Sequence, residues 1–300
     1  MHVATQRPLY REVQPKGLNA LLSLPDVAIR DPVGVMRKLQ VIVRGGRHSV
    51  SVIADFNMTL TKYWVGGKQN CDTFNVLEEV GVVSPRLIST QSKLRKEYYR
   101  IESNQDLTQP EKECLLTSII QRNNNLYIEE SFTRDSLADA LSNYPIVYRK
   151  GVHELVALTG FYQIPMLVFT AGLGDVVVEL MKAHNLLHPH ISFISNFMDF
   201  DPLPPHHICG FLPPLVHTLN KGKVVLQSPP FTKPRKNTIL IGDSLGDIQM
   251  GAFLDHQTTL TIGLLNHSVE ENLAQYSSEF DVVLTNDASL DWLNRLILTL

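Results

Sequence analysis

The stretch Val50-Ser51-Val52-Ile53-Ala54-Asp55-Phe56-Asn57-Met58-Thr59-Leu60-Thr61-Lys62 decides how the rest of the chain is read. Val50 to Ala54 form a short, mostly apolar run of the length expected for a buried strand, and the run ends on a carboxylate. The residues after it suit a loop at the strand's carboxyl end, which is where open α/β sheets bind ligands. An aspartate placed there can hold a metal, attack a substrate or cap a loop. The sequence elsewhere has to choose between these.

Upstream, residues 1–30 have weak periodicity and scattered prolines, and are expected to form an extended arm with a short helix. Asp31-Pro32 reads as an N-cap followed by proline at the first helical position. Val33, Met36, Leu39, Gln40 and Val43 then keep helical spacing, and Gly45-Gly46 closes the helix.

Downstream, the character changes. From Tyr63 to Tyr144 the chain is rich in Glu, Lys, Arg, Asn and Gln, with no strongly apolar strand. Amphipathic stretches at 84–101, 109–127 and 133–141 predict a helical insertion forming a second, smaller domain.

Alternation of strand and helix resumes at Tyr148. A helix is expected at 152–159 and a strand at 165–169, which runs into Thr170-Ala171-Gly172-Leu173-Gly174-Asp175 and a helix at 176–184. A strand is expected at 190–195, and the proline-rich 201–214 reads as a loop or short hairpin. Another strand at 237–242 ends on Asp243-Ser244-Leu245-Gly246-Asp247; strands at 258–263 and 281–284 and a helix at 290–300 complete the chain. Repeated βα units with short apolar strands predict an α/β fold with a parallel sheet covered on both faces.

With 300 residues the chain has room for one large domain or two smaller ones. Its 44% apolar and 19% charged content is that of an ordinary globular protein. A formal net charge of −3 provides no footprint for polymeric nucleic acid. Cys71, Cys114 and Cys209 are far apart in sequence and form no metal-binding pattern, so three free thiols in a reducing compartment are expected. No signal-peptide core and no membrane-length apolar run is present, so a cytoplasmic protein is expected.

Three strand ends therefore carry polar residues: Asp55 with Asn57, Thr170 with Gly172, and Asp243 with Asp247. Lys221 lies in the loop-rich stretch before the last of them. Parallel strands deliver their carboxyl ends to one rim, and phosphoryl transfer asks for little more than positioning and charge neutralisation. Asp55 and Asp243 form a pair of the kind Mg²⁺ takes together with water and a phosphate oxygen.

Asp-Phe-Asn-Met-Thr-Leu at 55–60, Phe-Thr-Ala-Gly at 169–172, Asn220-Lys221 and Gly-Asp-Ser-Leu-Gly-Asp at 242–247 resemble the four motifs of the haloacid-dehalogenase superfamily. Tyr98-Tyr99 with Ile101-Glu102, the run from Ile194 to Phe200, and Ile262-Gly263 with Leu265-Asn266 resemble the cytosolic 5′-nucleotidase III family. That family includes pyrimidine 5′-nucleotidases and 7-methylguanosine-phosphate-specific enzymes. The resemblance covers residues 31 to 300, apart from a divergent patch at 202–236.

The resemblance implies a Rossmann-like core from residues 1–63 and 146–300, with a helical cap at 64–145 inserted after the first strand. It implies a monomeric, Mg²⁺-dependent 5′-nucleotidase hydrolysing 7-methyl-GMP, CMP or UMP. Asp55 would form an aspartyl-phosphate, and Mg²⁺ would be held by Asp55, Asp243 and the backbone carbonyl of Asn57, with Asp247 supporting indirectly. Lys221 would neutralise charge, Thr170, Ala171 and Gly172 would hold the phosphate, and Glu102 and Phe74 would face the base.

The sequence departs from the family at Asn57, where active relatives carry the aspartate that protonates the leaving group. An amide cannot do so, and losing a general acid/base costs about 10²–10⁴-fold in rate. Binding with slow turnover is the expectation. The alternatives are a catalytically impaired nucleotide-binding protein of the same fold, or a phosphatase for another small phosphoester. Three positions have competing assignments: Lys223 could serve in place of Lys221, Phe74 could be plain core, and His206-His207 could mimic a metal site while being a solvent loop.

Overall fold

A computed structural model gives the structure, and it describes residues 15–130, 132–227, 235–251 and 256–300. The first fourteen residues of the expected N-terminal arm and part of the divergent patch lie outside the described residues. The described chain begins with a helix, α1 (Pro15–Leu21), and a short strand, β1 (Val27–Ala28).

Helix α2 (Pro32–Gly45) begins as its sequence dictates: the Asp31 carboxylate accepts the Gly34 N–H at 2.9 Å. It ends at Gly46, whose φ of 67° is the left-handed conformation glycine tolerates. The buried stripe is Val35, Leu39, Ile42 and Val43. It is rotated from the expected one, and Val33 is 61% exposed. Both stripes keep helical spacing; the position of the sheet decides which is covered.

Strand β2 (Val50–Ala54) is buried at every position. Ser51 is tolerated there because its hydroxyl meets that of Thr238 at 3.0 Å. Next in the chain come a small hairpin, β3 (Trp64–Val65) with β4 (Lys68–Gln69), and four helices: α3 (Thr73–Glu79), α4 (Pro85–Glu102), α5 (Gln109–Glu130) and α6 (Arg134–Leu141). Helix α7 (Val152–Phe161) returns to the sheet, followed by β5 (Met166–Leu173), α8 (Gly174–Ala183) and β6 (Ile191–Asn196). The chain ends with the hairpin β7 (Met198–Phe200) and β8 (Ile208–Phe211), α9 (Lys221–Gln227), β9 (Asn237–Gly242), β10 (Thr258–Leu265), α10 (Val269–Glu279), β11 (Val282–Thr285) and α11 (Asp291–Leu298).

The main sheet has the order β1-β11-β10-β9-β2-β5-β6, parallel throughout except for β1 against β11. Two details of the expected fold change. The insertion follows the first parallel strand, but β1 precedes it in the chain as an antiparallel edge. The inserted stretch also begins with a hairpin whose strands are two residues each, too short for a period-2 signal in sequence.

From β2 the chain builds outward through β5 and β6, then returns to build on the other side through β9, β10 and β11. The reversal falls between β2 and β9, and a crevice opens there at the carboxyl ends. The fold thereby puts Asp55, which follows β2, next to Asp243, which follows β9.

Candidate active site

The loop after β2 is a tight turn. The Phe56 carbonyl accepts the N–H groups of Leu60 and Thr61, each at 3.0 Å, and the Met58 N–H donates to Thr61 Oγ1 at 2.8 Å. Met58 has a φ of 57°. The turn leaves Asp55 buried at the switch point and Asn57 half-buried at the cleft.

Lys221 is the first residue of α9 rather than part of a loop. It is 2% exposed, and its Nζ donates to Asp55 Oδ1 at 2.8 Å, to Asp247 Oδ1 at 2.6 Å and to the Phe169 carbonyl at 3.3 Å. Lys223 points elsewhere, pairing with Glu113 at the surface. Asp247 is held in place by the Ser244 N–H and hydroxyl, both at 2.9 Å. Asp243 accepts the Thr59 hydroxyl at 3.3 Å. The structure thus brings Asp55, Asp243, Asp247 and Lys221 together.

Three carboxylates beside one ammonium leave excess negative charge in a poorly solvated place. Burial, together with the charge of Asp247, pushes Asp55 up to about 6, although Lys221 pulls the other way. Asp243 is also raised, by burial and by the charges of Asp247 and Asp55. Burial acts to lower Lys221, but Asp247 and Asp55 outweigh it and the ammonium is held above its ordinary range.

Thr170 and Ala171 lie inside β5, which runs further than the apolar pattern showed and shifts register against β6 between Phe169 and Leu173. The Thr170 oxygen accepts the Gly172 N–H at 3.2 Å, leaving the hydroxyl proton to donate. Gly172 is required by close approach: a Cβ there would lie 2.5 Å from Thr73 Oγ1 and 3.0 Å from Asn57 Nδ2. Asn57 Oδ1 accepts the Thr73 N–H at 3.2 Å, linking the nucleophile loop to the start of α3.

The inserted helices roof the rim and leave a cleft of about 500 Å³. One face of α4 lines it, with Gln91, Leu94, Arg95, Tyr98, Tyr99 and Glu102 at helical spacing. Phe74 lines it too, with its ring 6.5 Å from Tyr127 in a stacked arrangement. Phe74 is set by Asp72, whose carboxylate caps α3 through the Phe74 and Asn75 N–H groups and pairs with Arg95 at 3.5 Å. The Glu102 carboxylate, raised by burial, takes the Thr218 hydroxyl.

Over the cleft, roof and core meet through residues 217–223. Tyr98 Oη lies 2.7 Å from Thr218 Oγ1, His217 Nε2 lies 3.2 Å from Thr117 Oγ1, and Leu219 packs on Leu94, Ile101, Leu116 and Ile119. Thr218 and His217 are silent in the sequence because single polar residues in a loop carry no periodic signal, and Thr73, at the start of α3, is one polar residue among many. Asn266 shows there only as part of a family-like run, and Arg149 carries no signal at all. His206 is half-buried on its loop and bonds to the Asp201 carbonyl at 2.9 Å, away from the cleft. All three cysteines are free.

Comparisons with known proteins identify the family to which this geometry belongs. The family model described as pyrimidine 5′-nucleotidase (UMPH-1) matches residues 58–300. The chain belongs to that family. It is 32% identical over 275 residues to the 7-methylguanosine phosphate-specific 5′-nucleotidase of Gallus gallus, covering 90% of this chain and 94% of that one. The enzyme of the same description from Homo sapiens is 30% identical over 275 residues, covering 90% and 91%. The crystal structure of cytosolic 5′-nucleotidase IIIB bound to cytidine superposes with a TM-score of 0.83 at 28% identity, covering 93% of this chain and 95% of that one. At 13% identity, a haloacid-dehalogenase family hydrolase from Salmonella enterica superposes with a TM-score of 0.52, covering 83% of this chain and 71% of that one, which speaks for the shared fold alone.

Proposed function

We propose that the protein is a Mg²⁺-dependent 5′-nucleotidase that hydrolyses nucleoside 5′-monophosphates to nucleoside and phosphate, with turnover attenuated by Asn57. One observation carries the reading: Lys221 Nζ bridges Asp55 and Asp247 at 2.8 and 2.6 Å, beside Asp243, where the sheet order reverses. This is a nucleophile, a fixed cation and an acidic pair at the position where an α/β fold binds phosphate.

The donor set fits the ion. Among the described residues no three His, Cys, Asp or Glu side chains converge as a cage. Mg²⁺ is ordinarily taken through one or two carboxylates with water and phosphate oxygens, and Asp55, Asp243 and the Asn57 carbonyl are hard oxygen donors of that kind. When bound, the ion neutralises developing charge on the phosphoryl oxygens.

The residues of the chain do the rest. Asp55 attacks phosphorus in line, the bond to the nucleoside oxygen breaks, and water later hydrolyses the aspartyl-phosphate. Lys221 offsets the charge of Asp55 and of the phosphoryl group, while the Thr170 hydroxyl donates to a phosphoryl oxygen near Ala171 and Gly172. The inserted segment 64–145 acts as a cap over the core formed by 1–63 and 146–300, excluding bulk water. Stacking on Phe74 and the carboxylate of Glu102 hold the base; a cationic ring such as 7-methylguanine is favoured by both. The enzyme acts as a monomer in the cytoplasm on free nucleotides. Among the described residues no helix is long and apolar enough to cross a membrane.

Asn57 keeps a backbone carbonyl and an amide that binds the Thr73 N–H, but has no proton to give the leaving nucleoside. Phosphate release from 7-methyl-GMP, CMP and UMP with Mg²⁺, measured for the protein and for Asn57→Asp, tests this. The substitution is expected to raise turnover by about 10²–10⁴-fold, and a rise below about tenfold removes the role given to position 57. A sugar phosphate that competes better than every nucleotide would overturn the parts given to Glu102 and Phe74.

A further inference from the structure

Arg149 is a large charged side chain almost completely buried, at 1% exposure. It binds no part of the cleft lining through its side chain except the backbone of Met58. Its Nε donates to the Thr59 carbonyl at 2.7 Å, and its Nη2 to the Met58 carbonyl at 2.5 Å and Asn266 Oδ1 at 2.9 Å. Its Nη1 donates to the Ala288 carbonyl at 2.9 Å and pairs with Asp287 Oδ1, also at 2.9 Å. Asn266 Nδ2 donates to the same Met58 carbonyl at 3.0 Å.

Two parts of the molecule converge on this guanidinium. One is the nucleophile loop, whose Met58 is held at positive φ and whose Thr59 hydroxyl reaches Asp243. The other is the pair of chain crossings into and out of the inserted segment. Thr61 bridges Tyr148, the Lys62 N–H donates to the Val147 carbonyl at 2.9 Å, and the Arg149 N–H donates to the Leu60 carbonyl at 2.8 Å. Asp287, the partner of Arg149, also accepts the N–H groups of Tyr63 and Trp64 at 3.0 and 3.1 Å.

We infer that Arg149 is a positioning residue: with Asp287 and Asn266, it sets the backbone of the nucleophile loop and ties that loop to the hinge of the inserted helices. A buried guanidinium with a rigid fork of donors can hold several carbonyls in one mutual geometry. A lysine provides the same charge from a single nitrogen and cannot satisfy Met58, Thr59, Asn266 and Ala288 together. The carbonyls of Met58 and Thr59 follow directly on Asn57, so their orientation dictates where the Asn57 carbonyl and amide point. The inference rests on Asp55 being the nucleophile; Arg149 itself touches no reacting atom.

The test compares Arg149→Lys and Asp287→Asn with the parent, in the chain as it stands and with Asn57→Asp added so that rates are high enough to measure. Circular dichroism and thermal unfolding first establish that each variant folds. For folded Arg149→Lys, kcat is expected to fall about tenfold to a hundredfold, the size of effect a misplaced reacting group produces, while KM moves by less than about threefold. Asp287→Asn, which keeps an acceptor oxygen, is expected to lose much less. Independently of activity, amide hydrogen exchange in Arg149→Lys should accelerate at residues 58–64 and stay unchanged in α4 and α5. A folded Arg149→Lys with parental kcat and parental exchange at 58–64 overturns the inference. So does a lower melting temperature with kcat retained, the signature of a purely structural residue. Absence of nucleotidase activity in the parent and in Asn57→Asp alike would overturn the proposed function, and the exchange experiment would still judge Arg149. If Arg149→Lys does not fold, exchange in Asp287→Ala, which removes both acceptor oxygens, decides: no acceleration at 58–64 overturns the inference.

Discussion

Replacing Asp55 with asparagine removes one charge from the crowded site at almost no change in volume, and the surroundings of that carboxyl fix both the sign and the size of the result. The folded protein raises the Asp55 carboxyl from 3.8 to about 6, chiefly by burying it. In metal-free protein this carboxyl therefore binds its proton more tightly when folded than when unfolded. That contribution is fully present below about pH 4 and is lost as pH rises through about 6. A rise of about two pH units is worth about 3 kcal/mol, an upper figure because Asp243 titrates in the same cluster.

Asp55→Asn carries no such loss, and its amide oxygen still accepts from Lys221. With EDTA present, it is expected to exceed the parent in stability by up to about 3 kcal/mol at pH 8, or roughly 5–10 °C in melting temperature. The gap should close as the pH is lowered to about 4. Urea unfolding at a series of pH values between about 4.5 and 8 measures it. Mg²⁺ should narrow the gap at about pH 8, since an ion that binds only the folded parent stabilises it by mass action. The same variant should release no phosphate from any nucleotide. A variant less stable than the parent at about pH 8, or a difference that does not vary with pH, refutes the claim that Asp55 is a strained, charge-crowded group.

Two further substitutions probe the same site. Lys221→Met leaves Asp55 and Asp247 facing each other without their cation; it is expected to cost about 3–5 kcal/mol by denaturant unfolding at pH 8, to regain part of that at pH 5, and to abolish turnover. Gly172→Ala places a methyl group 2.5 Å from Thr73 Oγ1 and should cost about 1–3 kcal/mol while displacing Asn57. In the Asn57→Asp background it should lower kcat, and an unchanged kcat would show that the approach of α3 to β5 does not matter for the chemistry.

The parallel sheet and the polar residues at its strand ends can be read from the order of amino acids alone. A buried parallel strand has to be apolar along most of its length, so β2, β5 and β9 stand out, and the first polar residue after each apolar run marks the rim. Asp55, Thr170 and Asp243 are legible for that reason, and Lys221 becomes so through its resemblance to a known motif. Local patterns also locate α4 and α5, whose stripes are long enough to show period, while the two-residue strands β3 and β4 are too short to show any. Helix α2 shows the limit of period alone, since its spacing is as expected and its buried face is not.

Which polar groups share a space is a matter of packing. The separation of Lys221 from Lys223 depends on their places around one turn of helix, and the Arg149 guanidinium reaches Met58, Asn266 and Asp287 across 91, 117 and 138 residues of chain. Hydrogen bonds and buried charges act over a few ångströms, and nothing in a linear sequence fixes such distances between residues so far apart along it. Asn57 stands between the two cases. Its identity, and with it the missing proton, is written in the sequence, but its contacts with Thr73 and Gly172 exist only because the fold packs α3 against the end of β5.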